Sequence, residues 1–318
     1  MTGTSEDRWT HPSVILVATD LLDLDHLMPI ALLQSLETNA RLVLLYVIPV
    51  AAGFTADPVG MPHYDTSAAV EFAAKSLRPW CSLARDKGID CNALVREGDA
   101  ARQIAAAVRQ FHADRILLGT RSRGKLSKLL LGSVAEQVLR SVHLPVFTVG
   151  PEAHLPVSGK DDEKVVLHAT TLRETSRPSA VLACQIAAMQ KARLVLLHVL
   201  PPLDEMERRN LPTGLDSAAH HEIRNLASAI RGNDTGCVPI EVRIAHGNPS
   251  IEILAASSEL RASLIILGVT EHSTLQNLTR DNTIYRVLAH ARCPVLTLRE
   301  FAGSARNEAD VEQAAFQL

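Results

Sequence analysis

Residues 119–125 read G-T-R-S-R-G-K. That is one residue short of the phosphate loop G-x-x-x-x-G-K-[ST], in which backbone N–H groups cradle phosphates, the lysine reaches the β/γ-phosphates and the final hydroxyl holds Mg²⁺. The residue after Lys125 is Leu126, which cannot ligate a metal, and Ser127 comes one position too late. The run also follows the fourth apolar segment of its half, whereas a phosphate loop follows the first. Other residues nearby could still hold an anion. Gly132-Ser133 opens a helical pattern, and a helix start offers free N–H groups and the positive end of the dipole. Ser133 either caps that helix or donates to a phosphate. Gly119 either admits a ligand close to the backbone or makes a tight turn. Asp20 either meets a ribose hydroxyl or metal-bound phosphate, or caps its own loop. Arg121, Arg123, Lys125 and Lys128 surround the loop with positive charge, as a solvated face or as further phosphate contacts.

The elements that must place these residues are short apolar runs alternating with longer helical patterns. SVILVAT, RLVLLYV, CNALVRE, RILLGT and PVFTVG read as five strands buried on both faces. Helical segments fall around 25–38, 67–87, 100–112 and 133–142. Pro29 is expected in a first turn, where its missing N–H costs nothing, and Pro79 is expected to kink or end its helix. Strand–helix alternation builds a parallel sheet with right-handed crossovers. Such sheets bind ligands at the carboxyl ends of their strands, at the topological switch point. The strand ends here are ATD (18–20), YVIP (46–49), EGD (97–99) and LGT (118–120).

The chain also repeats itself. ARLVLLYVIP at 40–49 returns as ARLVLLHVLP at 192–201, and ADRILLGT at 113–120 as ASLIILGV at 262–269. VLRSVHLPVFTV at 138–149 returns as VLAHARCPVLTL at 287–298. A constant offset of about 150 residues marks one unit duplicated end to end. The expected organisation is a domain over 1–150, a linker over 151–163 rich in Gly, Pro and charge, a second domain over 164–300, and a tail over 301–318.

Composition narrows the function classes. A net charge of −3 supplies no basic excess for nucleic-acid phosphates. No apolar run is long enough to span a bilayer, and the N-terminal stretch has no apolar signal core, so a cytoplasmic protein is expected. Five scattered cysteines without C-x-x-C spacing fit free thiols better than a zinc site or a disulfide framework. His220, His221 and Glu222 are helix neighbours that point apart, which argues against a metal site. No catalytic base or Ser–His–Asp set can be argued from the sequence, and no catalytic or metal-ligating residue is assigned.

One pattern gathers the binding residues. After Gly119 come two residues, Ser122, nine residues and then Gly132-Ser133. This resembles the G-x-x-G-x9-G-[ST] signature of the universal stress protein family, with Ser122 in place of the second glycine. VATD ending the first strand and LLYVIP ending the second are also similar to that family. The resemblance covers both halves, roughly 13–150 and 164–299. It implies two tandem doubly wound, Rossmann-like α/β domains, each with a five-stranded parallel sheet flanked by helices. It further implies ATP, with or without Mg²⁺, held by Ala18, Thr19, Asp20, Val47, Leu118, Gly119, Ser122, Gly132, Ser133 and Val134, with Val47 meeting adenine through its backbone. In the family, domains pair through their last strand, which here implies an intramolecular pseudo-dimer that could itself dimerise. If Ser122 holds a left-handed conformation it costs on the order of 1 kcal/mol relative to glycine, unless Gly124 absorbs the turn.

The second half departs from the pattern. Gly268 remains, but Glu271, Asp281 and Asn282 replace the second glycine, the third glycine and the hydroxyl residue, and Thr171 replaces the aspartate. Carboxylates where phosphates would sit repel them. The expectation is one nucleotide per chain, in a regulatory stress-response module with an unknown protein client. The alternatives are a slow ATPase or phosphotransferase, and a ligand-free interaction protein.

Overall fold

In the computed structural model, the described residues are 5–49, 66–120, 131–153, 163–202, 213–231, 238–270 and 282–300. The N-terminal half runs α1 (Ser5–Thr10), β1 (Val14–Thr19), α2 (Leu24–Thr38), β2 (Arg41–Ile48), α3 (Ser67–Asp86), β3 (Cys91–Glu97), α4 (Ala100–Phe111), β4 (Arg115–Gly119), α5 (Ser133–Ser141) and β5 (Val146–Val149). The C-terminal half repeats it as β6 (Val165–Ala169), α6 (Arg177–Met189), β7 (Arg193–Leu200), α7 (Thr213–Arg231), β8 (Ile240–His246), α8 (Pro249–Glu259), β9 (Leu264–Thr270), α9 (Thr283–His290) and β10 (Val295–Glu300). No helix among the described residues is long and apolar enough to cross a membrane.

The ten strands form one sheet in the order β3-β2-β1-β4-β5-β10-β9-β6-β7-β8. Within each half neighbouring strands are parallel. At the centre β5 and β10 run antiparallel, with Phe147 opposite Leu296. Two side chains reinforce that seam reciprocally. Thr148 donates to the Val295 carbonyl at 3.1 Å, and Thr297 donates to the Val146 carbonyl at 3.3 Å.

Alternation along the strands splits the core into two layers. Ile15 and Val17 of β1 face one way with Leu27 of α2 and Leu77 of α3. Val14, Leu16 and Ala18 face the other way with Ile104 of α4 and Val138 of α5. Each layer continues into the C-terminal half, through Ala183 of α6 and through Val287 of α9. Strands apolar throughout, whose successive residues feed opposite layers beneath helices on both faces, are what burial of a parallel sheet requires.

Three local expectations are corrected. Pro29 is the sixth residue of α2, a full turn further in than expected; the helix tolerates it at the loss of one backbone bond. Of the two outcomes expected at Pro79, a kink or an end, the end does not occur, since α3 continues to Asp86. CNALVRE does form β3, but it is an edge strand bonded to β2 alone, and Asn92, Ala93 and Glu97 are exposed. Expected features at 121–130, 154–162, 271–281 and 301–318 lie outside the described residues, Ser122 and the basic cluster among them.

Candidate functional site

β1 is the switch point of the N-terminal half. The chain leaves it through α2 towards β2 on one side, and returns across the sheet to β4 on the other. The strand ends diverge there, and a cavity of about 330 Å³ opens between them. That size lies within the range of small-molecule sites.

Nine of the ten residues expected to bind line this cavity. β1 contributes Ala18 and Thr19, with Asp20 just beyond it; β2 contributes Val47; β4 contributes Leu118 and Gly119; the start of α5 contributes Gly132, Ser133 and Val134. The β1–β2 ladder ends at Thr19 opposite Tyr46, so Val47 lies one residue past the last pair. Ser122, the tenth, lies outside the described residues.

The start of α5 is open. Gly132 occupies its capping position, and among the described residues no side chain caps the first-turn N–H groups. Ser133 therefore does not cap the helix; it is the first helical residue, and it is exposed. Two bonds seat this helix start. Gly132 N–H donates to the Thr120 carbonyl at 3.2 Å, and Leu131 N–H donates to the Tyr285 hydroxyl at 2.9 Å. Tyr285 belongs to α9, so the C-terminal half holds the edge of the N-terminal cavity. A contact across 154 residues of chain leaves no local sequence signal.

Two aspartates after β1 line the cavity. Asp20 Oδ1 accepts from Leu22 N–H at 2.9 Å, the loop-capping role, while the residue also lines the cavity. Asp23, to which the sequence pattern assigns no role, lines the cavity and is buried. Thr19 donates to its Oδ1 at 2.5 Å. Burial pushes the Asp23 carboxyl up to about 6; the Thr19 bond pulls against this, and the neighbouring Asp20 charge adds to it. Gly119 is required here, because a Cβ built on it would fall on Asp23 Oδ2. Asp23 also starts α2, its carbonyl accepting from His26 and Leu27 N–H. An acidic residue before an apolar helical run was the available signal, but it reads first as a cap.

The corresponding place in the C-terminal half is built from the same frame with different chemistry. Leu21 and Leu172 both take left-handed backbone, with φ of 73° and 59°. Their N–H groups donate to Thr19 and Thr170 hydroxyls at 2.9 and 3.1 Å. The turn after the first strand is thus a property of the fold, retained whether or not an aspartate follows it. At the start of α9, however, Asn282 Oδ1 accepts from Ile284 N–H at 2.9 Å, so this helix end is capped by its own side chain. Thr171, in place of Asp20, is hydrogen-bonded to Ser176 at 2.8 Å.

The doubly wound α/β unit is present twice, and its first copy carries a cavity at the switch point, the place where folds of this class hold their ligands. The universal stress protein family model matches residues 13–150 and 163–299, and the chain belongs to that family. A universal stress protein of Methanocaldococcus jannaschii is 28% identical over 113 residues, covering 36% of this chain and 66% of that protein. Universal stress protein E of Photorhabdus laumondii is 24% identical over 198 residues, covering 58% of this chain and 61% of that protein. This chain thus spans just under two thirds of the length of those relatives. Among solved structures, a universal stress protein of Archaeoglobus fulgidus superposes with a TM-score of 0.69 at 20% identity, covering 92% of this chain and 98% of that one. A protein of unknown function from Pseudomonas aeruginosa gives 0.63 at 17% identity, covering 97% and 98%. At these identities the agreement is one of fold.

Proposed function

We propose that this chain is a cytoplasmic stress-response module that binds one ATP, with or without Mg²⁺, in the domain spanning 1–150. In this proposal the domain spanning 164–300, joined by a 151–163 linker, completes an intramolecular pseudo-dimer and binds none. The observation that carries the proposal is the contrast between the two equivalent helix ends. α5 begins at Gly132 on the cavity wall with no side-chain cap among the described residues, whereas Asn282 already satisfies a first-turn N–H of α9. Free N–H groups with the helix dipole behind them favour a phosphate, and a satisfied donor offers much less. The residues present fit a nucleotide. The cavity has the right size, apolar walls at Val47, Ile104 and Leu118, and a glycine, Gly119, where a Cβ would clash with the Asp23 carboxylate. Bound ATP would supply the state on which an unidentified protein client discriminates. The chain's own residues hold its phosphates at the α5 start and its base against β2.

Calorimetric titration tests the stoichiometry. One site per chain is expected, and Gly132→Asp should remove it while circular dichroism shows the fold retained. A carboxylate a few ångströms from a phosphate costs about 1–4 kcal/mol at the effective dielectric of such sites. Two equivalent sites, or unchanged binding in that variant, would overturn the asymmetric reading.

Slow ATP hydrolysis or phosphoryl transfer is the second reading, and Asp23 is the observation in its favour. A buried carboxyl raised to about 6 on the cavity wall has the basicity of a general base near neutral pH. Sustained phosphate release that disappears in Asp23→Asn would favour it; no release from the parent protein would dispose of it.

A further inference from the structure

Away from the cavity, α3 packs on the edge strand β3, and there two thiols meet. Cys91 Sγ donates towards Cys81 Sγ at 3.1 Å, and both cysteines are free. Arg85 lies one turn beyond Cys81 on α3, and its Nη2 donates to the Cys91 carbonyl at 2.7 Å. The guanidinium is thus held against the pair.

The two sulfurs are inequivalent. The Cys91 S–H bond, with the Arg85 charge, pulls the Cys81 thiol below its ordinary value against the effect of burial. The same bond and burial push the Cys91 thiol up, with Asp90 adding to the rise and Arg85 opposing it. Cys293, by contrast, is pushed up to about 12 by burial. Thiolate character and access together decide which cysteine an oxidant finds. The pair is buried, Cys81 being 2% exposed. It lies, however, at the outermost strand, beneath one helix whose outer face carries exposed Phe72 and Leu83. A reagent the size of hydrogen peroxide needs only a local opening at that edge.

We propose that Cys81 and Cys91 form a peroxide-reactive dithiol, in which Cys81 attacks and Cys91 resolves it to a disulfide tying α3 to β3. In the first step the Cys81 thiolate attacks one peroxide oxygen, the O–O bond breaks, and the departing hydroxide takes a proton to leave as water. The product is a sulfenic acid at Cys81. Cys91, giving up its proton, then attacks the Cys81 sulfur; the S–S bond forms, the S–O bond breaks, and a second water leaves. In sum, two thiols and one hydrogen peroxide give one disulfide and two waters. The two electrons come from the sulfur pair. Two sulfurs already in contact, on a helix and a strand joined by a short turn, have little distance to close.

The test uses the full-length protein, folded, with a modest excess of hydrogen peroxide, followed by alkylation in denaturant and mass mapping of the unreduced digest. The expected result is a peptide linking Cys81 to Cys91, two of the five thiols per chain lost, and both restored by dithiothreitol. In Cys91→Ala the reaction should halt at Cys81, where dimedone traps the sulfenic acid. In Cys81→Ala, Cys91 should stay reduced. The unmodified protein carries the decisive measurement, so a variant that fails to fold does not obscure it. The proposal is overturned if the link forms only in denaturant, if no link forms in the folded chain, or if Cys184 and Cys293 oxidise as readily.

Discussion

Asp23 and His168 are buried ionisable groups whose effects on stability run in opposite directions. Asp23 is raised from 3.8 to about 6 by burial. The folded state therefore holds its proton more tightly, so the stability it contributes is complete below about 3.8 and is lost as pH rises through 6. His168, opposite Leu196 and Ile266 in the sheet, is fully buried and pushed down to about 4. Burial dominates; Nδ1 is hydrogen-bonded to the Ile266 carbonyl at 3.1 Å, and Nε2 has no partner among the described residues. Its stability is complete above 6.5 and is lost as pH falls towards 4. Between about 4 and 6 each group changes stability by about 1.4 kcal/mol per pH unit, and the two slopes oppose. Denaturant titration should therefore show Asp23→Asn steepening the acid loss, and His168→Val making the protein relatively more stable at pH 4.5 than at 6. Val17 occupies the position of His168 in the other half, so valine suits the site. Parallel pH profiles for parent and both variants would contradict this. Gly119→Ala belongs to the same scale. With Asp23 Oδ2 where the new methyl would stand, the variant should lose about 1–3 kcal/mol, as overpacking does, measured by the same titration.

At the scale of elements, the start of α5 depends on α9. Tyr285→Phe would leave the buried Leu131 N–H without its acceptor, an omission that costs about 1–3 kcal/mol. Stability should fall by that amount, and nucleotide affinity in the N-terminal half should weaken several-fold, although Tyr285 lies in the other half. Calorimetry of Tyr285→Phe at a temperature where it is fully folded separates the two effects; unchanged affinity would reduce the tyrosine to a packing role. Arg115 is the comparable feature on the opposite layer. It is buried, donates to the Trp9 carbonyl at 2.7 Å and Gln34 Oε1 at 3.1 Å, and lies over the Phe147 ring. It thereby ties α1, α2 and β5 to β4. Arg115→Ala removes those bonds and opens a cavity, and chemical denaturation should show a loss of roughly 3 kcal/mol or more. The sequence offers Leu264 at the equivalent position, which is why a strand-initial arginine reads as surface until the fold is known.

At the scale of the molecule, the halves meet through β5 and β10, and each would be a bare sheet edge without the other. A fragment of residues 1–150 exposes β5 with Phe147 and Thr148 unpaired. It should dimerise through that edge, as light scattering over a concentration series would reveal. A fragment that is folded and monomeric at high concentration would show that the edge is tolerated alone. Both apolar layers cross the seam, so the full chain should unfold in one transition, not two, by calorimetry.

The strands, the helices and the duplication were legible in the sequence because each depends on local periodicity. A strand buried on both faces must be apolar throughout, a helix must show its 3.6-residue stripe, and a duplicated unit must repeat both in order. The residues at the carboxyl ends of β1, β2 and β4 were legible for the same reason, since a parallel sheet brings its strand ends together. What the tertiary structure alone decided were matters of partner and burial. Asp23 differs from an ordinary cap because Gly119 lies against it, Tyr285 matters because α9 reaches Leu131, and β3 is partly exposed because no described strand follows it in the sheet. Long-range contacts carry no periodicity. A residue's type records what it can do, while its burial and its distant neighbours determine which of those things it does.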